Sequence, residues 1–163
     1  AFVKEMQPKA DKFGTKLAAA KTSKEAVTGA DVVTTVTTSH EPVFDAADIK
    51  AGCHVTGVGS YTPNARELPA ELLAKASHIF VDNREAVLAE AGDFIIPMSQ
   101  GLFSKERIEG ELGELLLGRV KGRLAHEEIT VMKTVGYAVL DVVAAWTIYN
   151  RAIELGIGSN INI

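Results

Sequence analysis

Val32-Val33-Thr34-Thr35-Val36-Thr37-Thr38-Ser39-His40 begins as a β-branched apolar run and ends in polar residues. The same change of character recurs downstream. His54-Val55-Thr56-Gly57-Val58 runs into Gly59-Ser60-Tyr61-Thr62-Pro63, and Ile79-Phe80-Val81 into Asp82-Asn83-Arg84-Glu85. Ile129-Thr130-Val131-Met132 runs into Lys133-Thr134-Val135-Gly136. Short β-branched runs bounded by turn or helix signals read as strands. Helical patterns lie between them, and that alternation predicts a mostly parallel α/β sheet flanked by helices. In open parallel sheets ligands bind beyond the carboxyl ends of the strands. Polar residues gathered there mark a candidate site.

The remaining segments follow from periodicity and punctuation. Ala1 to about Phe13 carries apolar residues at helical spacing with Pro8 inside, which predicts a kink or an end. Ser23 is expected to cap a short helix closed by Gly29, and a further helix spans Leu68 to Ala76. Arg84 to Ala91 reads as a helix stopped by Gly92, and Phe94-Ile95-Ile96-Pro97 as a strand ended by its proline. Ser104 to Leu117 is helical in pattern but broken by Gly110 and Gly113. A long helix from about Gly136 to Leu155 is apolar on more than one face, so burial between layers or subunits is expected. Ile161, Asn162 and Ile163 alternate as a final extended segment.

Composition excludes several classes. The 163 residues are enough to bury a core, and 47% hydrophobic with 23% charged residues is ordinary for a globular chain. The formal charge of −4, with no cluster of Lys or Arg longer than two, offers no nucleic-acid footprint. Apolar stretches are too short for a membrane helix. Cys53 is the only cysteine, so no internal disulfide forms. It reads as a small buried hydrophobe, compatible with a reducing cytoplasm. No Gly-x-Gly-x-x-Gly occurs in the chain. Ala1 falls in mid-helix pattern, which suggests a start inside a larger protein.

Seven short stretches stand in one order: Thr37-Thr38-Ser39-His40-Glu41-Pro42-Val43, Gly57-Val58-Gly59-Ser60-Tyr61-Thr62-Pro63, Arg66-Glu67-Leu68, Val81-Asp82-Asn83-Arg84-Glu85, Glu90-Ala91-Gly92-Asp93, Glu111-Leu112-Gly113-Glu114 and Lys133-Thr134-Val135-Gly136. Together they resemble the ornithine cyclodeaminase/mu-crystallin family from about Lys24 to the C-terminus. The resemblance implies a Rossmann-type oxidoreductase using NAD or NADP on a small amino or imino acid, homodimeric when intact. It implies that residues 1–135 are part of the cofactor domain, without its Gly-rich loop. Residues 136–163 would then rejoin a substrate and dimerisation domain.

Carried over residue by residue, the family's cofactor contacts fall on Thr37, Thr38, Val58, Gly59, Lys133 and Thr134. Its substrate-side positions fall on Ser60 and Glu90. True cyclodeaminases have an Asp at the place of Ser60, and Cys-Pro-Gly where this chain has Tyr61-Thr62-Pro63. A serine hydroxyl is no general base at neutral pH without an activator. The departure moves the expectation toward alanine dehydrogenase-like, opine dehydrogenase-like and ketimine reductase-like members, with cyclodeamination and a non-catalytic crystallin-like role as alternatives. His40 is a further candidate for proton transfer, and Asp82 with Arg84 is expected to form a strand-to-helix structural pair. No zinc-ligand spacing is present.

Overall fold

A computed structural model describes residues 2–159 and Ile161. Its centre is a five-stranded, wholly parallel sheet in the order β1-β2-β5-β3-β4. Helix α1 (Phe2–Ala10) keeps Pro8 inside it, and α2 (Ser23–Val27) is capped by Thr22, whose side chain accepts from Glu25 N at 3.1 Å. The cap therefore lies one residue before the expected Ser23. The remaining elements are β1 (Val32–Thr35), β2 (His54–Gly57), α3 (Ala70–Lys75), β3 (His78–Val81), α4 (Arg84–Glu90), α5 (Gly92–Ser99), β4 (Gly110–Glu111), α6 (Leu112–Leu116), β5 (Thr130–Lys133) and α7 (Ala138–Leu155).

The parallel sheet expected from alternating strands and helices is present. One face carries Val33, Val55, Val131 and Ile79, which lie level across four strands and pack on Leu68, Leu72, Leu73, Val87 and Phe94. The other face is less covered: Val32 at its edge is 63% exposed.

Two further expectations fail, each for an identifiable reason. Phe94 to Pro97 lies in a helix rather than a strand. A short apolar run does not by itself distinguish the two. Here the N–H groups of Phe94 and Ile95 both bond to Ala91 O, and Phe94 and Pro97, three apart, are both buried. Phe94 packs against Phe103 with ring centroids 4.9 Å apart. Gly92 consequently opens a helix as well as following one. Its buried backbone passes so close to the β2 loop that a Cβ would stand 2.1 Å from Ala65 O.

Ser104 to Leu117 is not one interrupted helix but a 3-10 turn, the edge strand β4 and α6. Gly110 pairs with Phe80, so the first breaker of the helical pattern is a sheet residue. The described residues of this chain bury none of α7, and Trp146 is 64% exposed, so cover from this chain's own layers is ruled out and cover by another domain or subunit stays open. Gly156, at φ 64°, ends it. The final extended segment falls mostly outside the described residues.

Candidate active site

Register decides where the polar clusters emerge. Thr35, Gly57, Lys133 and Val81 lie level at the carboxyl ends of four neighbouring strands. The ladder continues one step beyond: Val58 N donates to Thr35 O, Thr134 N to Gly57 O and Asp82 N to Lys133 O. Four loops therefore open on one edge of the sheet, carrying Thr37-Thr38, Gly59-Ser60, Asp82 and Thr134.

Beneath that edge lies a polar network with no solvent access. Glu67, Asp93, Lys133 and Ser60 are all 0% exposed. One oxygen of the Glu67 carboxylate accepts from Thr37 N at 2.5 Å. The other accepts from Gly59 N at 2.6 Å and the Thr35 hydroxyl at 3.0 Å. Asp93 Oδ1 accepts from the backbone N–H groups of Glu67 and Leu68 at 2.7 and 2.8 Å. Its Oδ2 stands 3.1 Å from Lys133 Nζ, an ion pair without hydrogen-bond angles. Lys133 Nζ donates to Gly57 O at 3.2 Å. Buried charges persist when they are paired and hydrogen-bonded in this way.

Each candidate residue can now be placed. Thr37 and Thr38 are exposed. Thr37 Oγ1 accepts from Ser39 N, which leaves its own proton free to donate. Val58 is half-buried above β2. Gly59 is buried against Thr37, and a Cβ there would stand 2.0 Å from Thr37 O. The Thr134 hydroxyl donates to Asp82 Oδ2, which also accepts from Val135 N and Gly136 N and so fixes the turn into α7. Lys133 lies below the edge with its ammonium committed to protein partners. Ser60 is likewise committed: its hydroxyl donates to Ala65 O at 2.5 Å. Glu90 is exposed at the last position of α4, two residues before the contact of Gly92 with the β2 loop. His40 is exposed with Nδ1 3.0 Å from Asn64 O.

Asp82 and Arg84 do not pair with each other, contrary to expectation. Asp82 turns to the β5 loop, while Arg84 Nη1 donates to Ile108 O at 3.0 Å. Residues 82 and 84 leave the strand end in different directions, because Asn83 between them caps α4 by accepting from Ala86 N.

In the sequence Glu67 and Asp93 stand only as members of motifs, with no role attached to either. Their signal was composition: each is a lone acid beside an apolar run, Leu68-Pro69-Ala70 and Phe94-Ile95-Ile96 respectively. Charges rarely occur fully buried unless paired.

The opposite edge holds a second polar group. His78 bonds through Nδ1 to Glu109 at 2.8 Å and through Nε2 to Glu128 at 3.1 Å. Its pKa is raised, chiefly by the hydrogen bond to Glu109. His54 is lowered, first by burial and then by Arg123. Burial pushes the Cys53 thiol up, as expected of an unreactive core cysteine. Among the described residues no group of three or more His, Cys, Asp or Glu could hold a metal, and no helix is long and apolar enough to cross a membrane.

The model of the ornithine cyclodeaminase/mu-crystallin family matches residues 2–156. Delta(1)-pyrroline-2-carboxylate reductase of Bacillus cereus is 42% identical over 151 residues, 93% of this chain and 46% of that protein. The same enzyme from Thermococcus litoralis, solved with NADH and L-proline, superposes with a TM-score of 0.90 at 38% identity, over 98% of this chain and 48% of that one. An archaeal alanine dehydrogenase dimer with bound NAD superposes at 0.85 with 31% identity, over 98% of this chain and 49% of that one. The chain thus spans about half the length of the relatives it matches.

Proposed function

The chain belongs to the ornithine cyclodeaminase/mu-crystallin family, and on that premise we propose that the protein carrying it reduces a small cyclic imino acid. The favoured substrate is Δ1-pyrroline-2-carboxylate, giving proline, with NADH or NADPH as reductant. One observation carries this choice over cyclodeamination. Ser60 stands where the cyclodeaminases have their acid, and its buried hydroxyl already donates to Ala65 O. No base activates it, so it cannot take a proton from a substrate amine.

The edge residues fit the nicotinamide and ribose end of such a cofactor. Thr37 and Thr38 present exposed hydroxyls, and the absence of a side chain at Gly59 lets backbones approach closely. The backbone of the Thr134 turn and half-buried Val58 complete our assignment. Lys133 contributes from below, by holding Asp93. The chain has no Gly-rich loop, so the pyrophosphate is held by another part of the protein.

When bound, the cofactor supplies the hydride that adds to the imine carbon while a proton adds to its nitrogen. Glu90, exposed and without a side-chain hydrogen bond among the described residues, is the proton carrier we assign. The locked loops orient the hydroxyls, which is where proximity acts.

In this reading residues 1–135 are part of the cofactor-binding unit, and 136–163 join a substrate and dimerisation domain. The exposed Val139, Val142, Val143, Trp146 and Ile153 on α7 support it, as an apolar surface of that size calls for a partner. A homodimer is the expected assembly. A cytoplasmic location accords with a single, fully buried thiol.

The test is to supply the full-length protein with Δ1-pyrroline-2-carboxylate and stoichiometric NADH or NADPH, then with alanine and NAD, then with ornithine and catalytic NAD. Cofactor oxidation matched by proline is expected from the first set. Proline and ammonia from ornithine at ordinary enzymatic rates would overturn the assignment.

A further inference from the structure

We propose that Glu67 is a positioning residue for the cofactor: its carboxylate locks the two loops that would flank the nicotinamide to one another from beneath. The inference rests on the cofactor site assigned above and goes beyond it, since Glu67 is fully buried beneath that site.

The sheet ladder stops one residue after β1 and β2, and the next N–H groups, at Thr37 and Gly59, have no strand partner. Glu67 accepts both, at 2.5 and 2.6 Å, together with the Thr35 hydroxyl at 3.0 Å. Hydrogen bonds to an ionised acceptor are shorter and about twice as strong as neutral ones. The two loops are held edge to edge, with the Gly59 Cα facing Thr37, where a methyl group would meet Thr37 O and N at 2.0 and 2.5 Å. Above this lock Thr37 and Thr38 are exposed; below it Thr35, Glu67, Asp93 and Lys133 are buried. The geometry separates the two tasks, with rigid backbone underneath and free hydroxyls on top.

The carboxylate is itself positioned. Asp93 Oδ1 holds the N–H of Glu67, and Lys133 holds Asp93 from the end of β5. Two strand ends therefore converge on one buried oxygen pair, while the start of α5 and the end of β5 hold the backbone that carries it. An apolar side chain in this space would leave the buried Gly59 N–H without an acceptor and the two loops untied. The carboxylate instead fixes both loops in one relative position.

Glu67→Gln is the discriminating substitution. The amide keeps the volume but replaces one acceptor oxygen with an NH2 that faces an N–H donor, so one of the two loops is released. NADH and NADPH are titrated by fluorescence into the full-length wild-type and variant proteins, followed by steady-state kinetics. For Glu67→Gln we expect a cofactor Kd raised about tenfold, a substrate KM within about twofold at saturating cofactor, and kcat within about threefold.

A purely structural role would lower the binding amplitude and the Tm while leaving the cofactor Kd of the folded fraction unchanged. That result overturns the inference. If Glu67→Gln does not fold, Thr35→Val removes only the hydroxyl donor; a two- to fourfold rise in cofactor Kd, a fraction of one hydrogen bond to the carboxylate, is then expected, and no rise overturns it. Failure of the wild-type protein to bind either nucleotide would sink the cofactor site itself. Tight wild-type binding with an indifferent Glu67→Gln would sink only the role of Glu67.

Discussion

Replacing Lys133 by Met should cost about 3–5 kcal/mol of folding stability, the range for removing one partner of a buried pair. Both side chains are 0% exposed and their charged atoms are 3.1 Å apart. At an effective dielectric of ~20 that separation is worth about 5 kcal/mol of Coulomb attraction. Lys133 also donates to Gly57 O, a bond to a charged donor contributing about 1.5–3 kcal/mol. Against these stands the relief of no longer desolvating an ammonium, which brings the net back into the range given. Methionine matches the aliphatic stem, so little of the loss comes from a cavity. The assay is urea unfolding at pH 7 of the wild type, Lys133→Met, Asp93→Asn and the double variant. Asp93→Asn keeps the oxygen that accepts from Glu67 and Leu68, so it isolates the charge. The double variant should be more stable than the sum of the singles implies, by about 2 kcal/mol or more. A single-variant loss below about 1 kcal/mol, or additivity within about 0.5 kcal/mol, would refute the account of Lys133 and Asp93 as a buried, coupled pair.

Other expectations follow from the same geometry. Gly59→Ala forces Thr37 away from β2, and cofactor binding by the full-length protein should weaken by more than about tenfold; an unchanged Kd would mean that the loops tolerate separation. Trp146→Ala should shift the stability of the 163-residue chain by no more than about 0.5 kcal/mol, because the ring is 64% exposed. In the full-length protein the cost should rise to about 3–5 kcal/mol if another domain or subunit covers α7, and equal small effects in both would leave the helix uncovered. The raised pKa of His78 makes its contribution fully present below about pH 6.5 and lost as pH rises through the folded value. The gap in urea midpoint between wild type and His78→Gln should therefore be wider at about pH 5.5 than at about pH 8.5, by ~1 kcal/mol or less given partly exposed partners; a gap that grows with pH contradicts the assignment.

By itself the sequence determined the parallel α/β class and the side of the sheet on which polar residues gather. The reason is local: β-branched runs such as Val32 to Val36 admit few conformations other than strand, and each is followed at once by its polar cluster. The ordered motifs determined the family for the same reason, being short runs legible without knowledge of contacts. Tertiary structure alone decided what lies above the edge and what lies below it. Thr37 and Thr38 are exposed while Ser60 and Lys133 are sealed, although all four are polar residues at strand ends. The difference is set by Glu67 and Asp93, which are distant in sequence from the strands they tie. Tertiary structure also turned Phe94 to Pro97 into a helix, because a short apolar run takes its form from the neighbours that bury it. The apolar pattern of α7 predicted burial, yet pattern records only that a surface needs covering. What covers it depends on groups outside the helix, and no described residue of this chain performs that task.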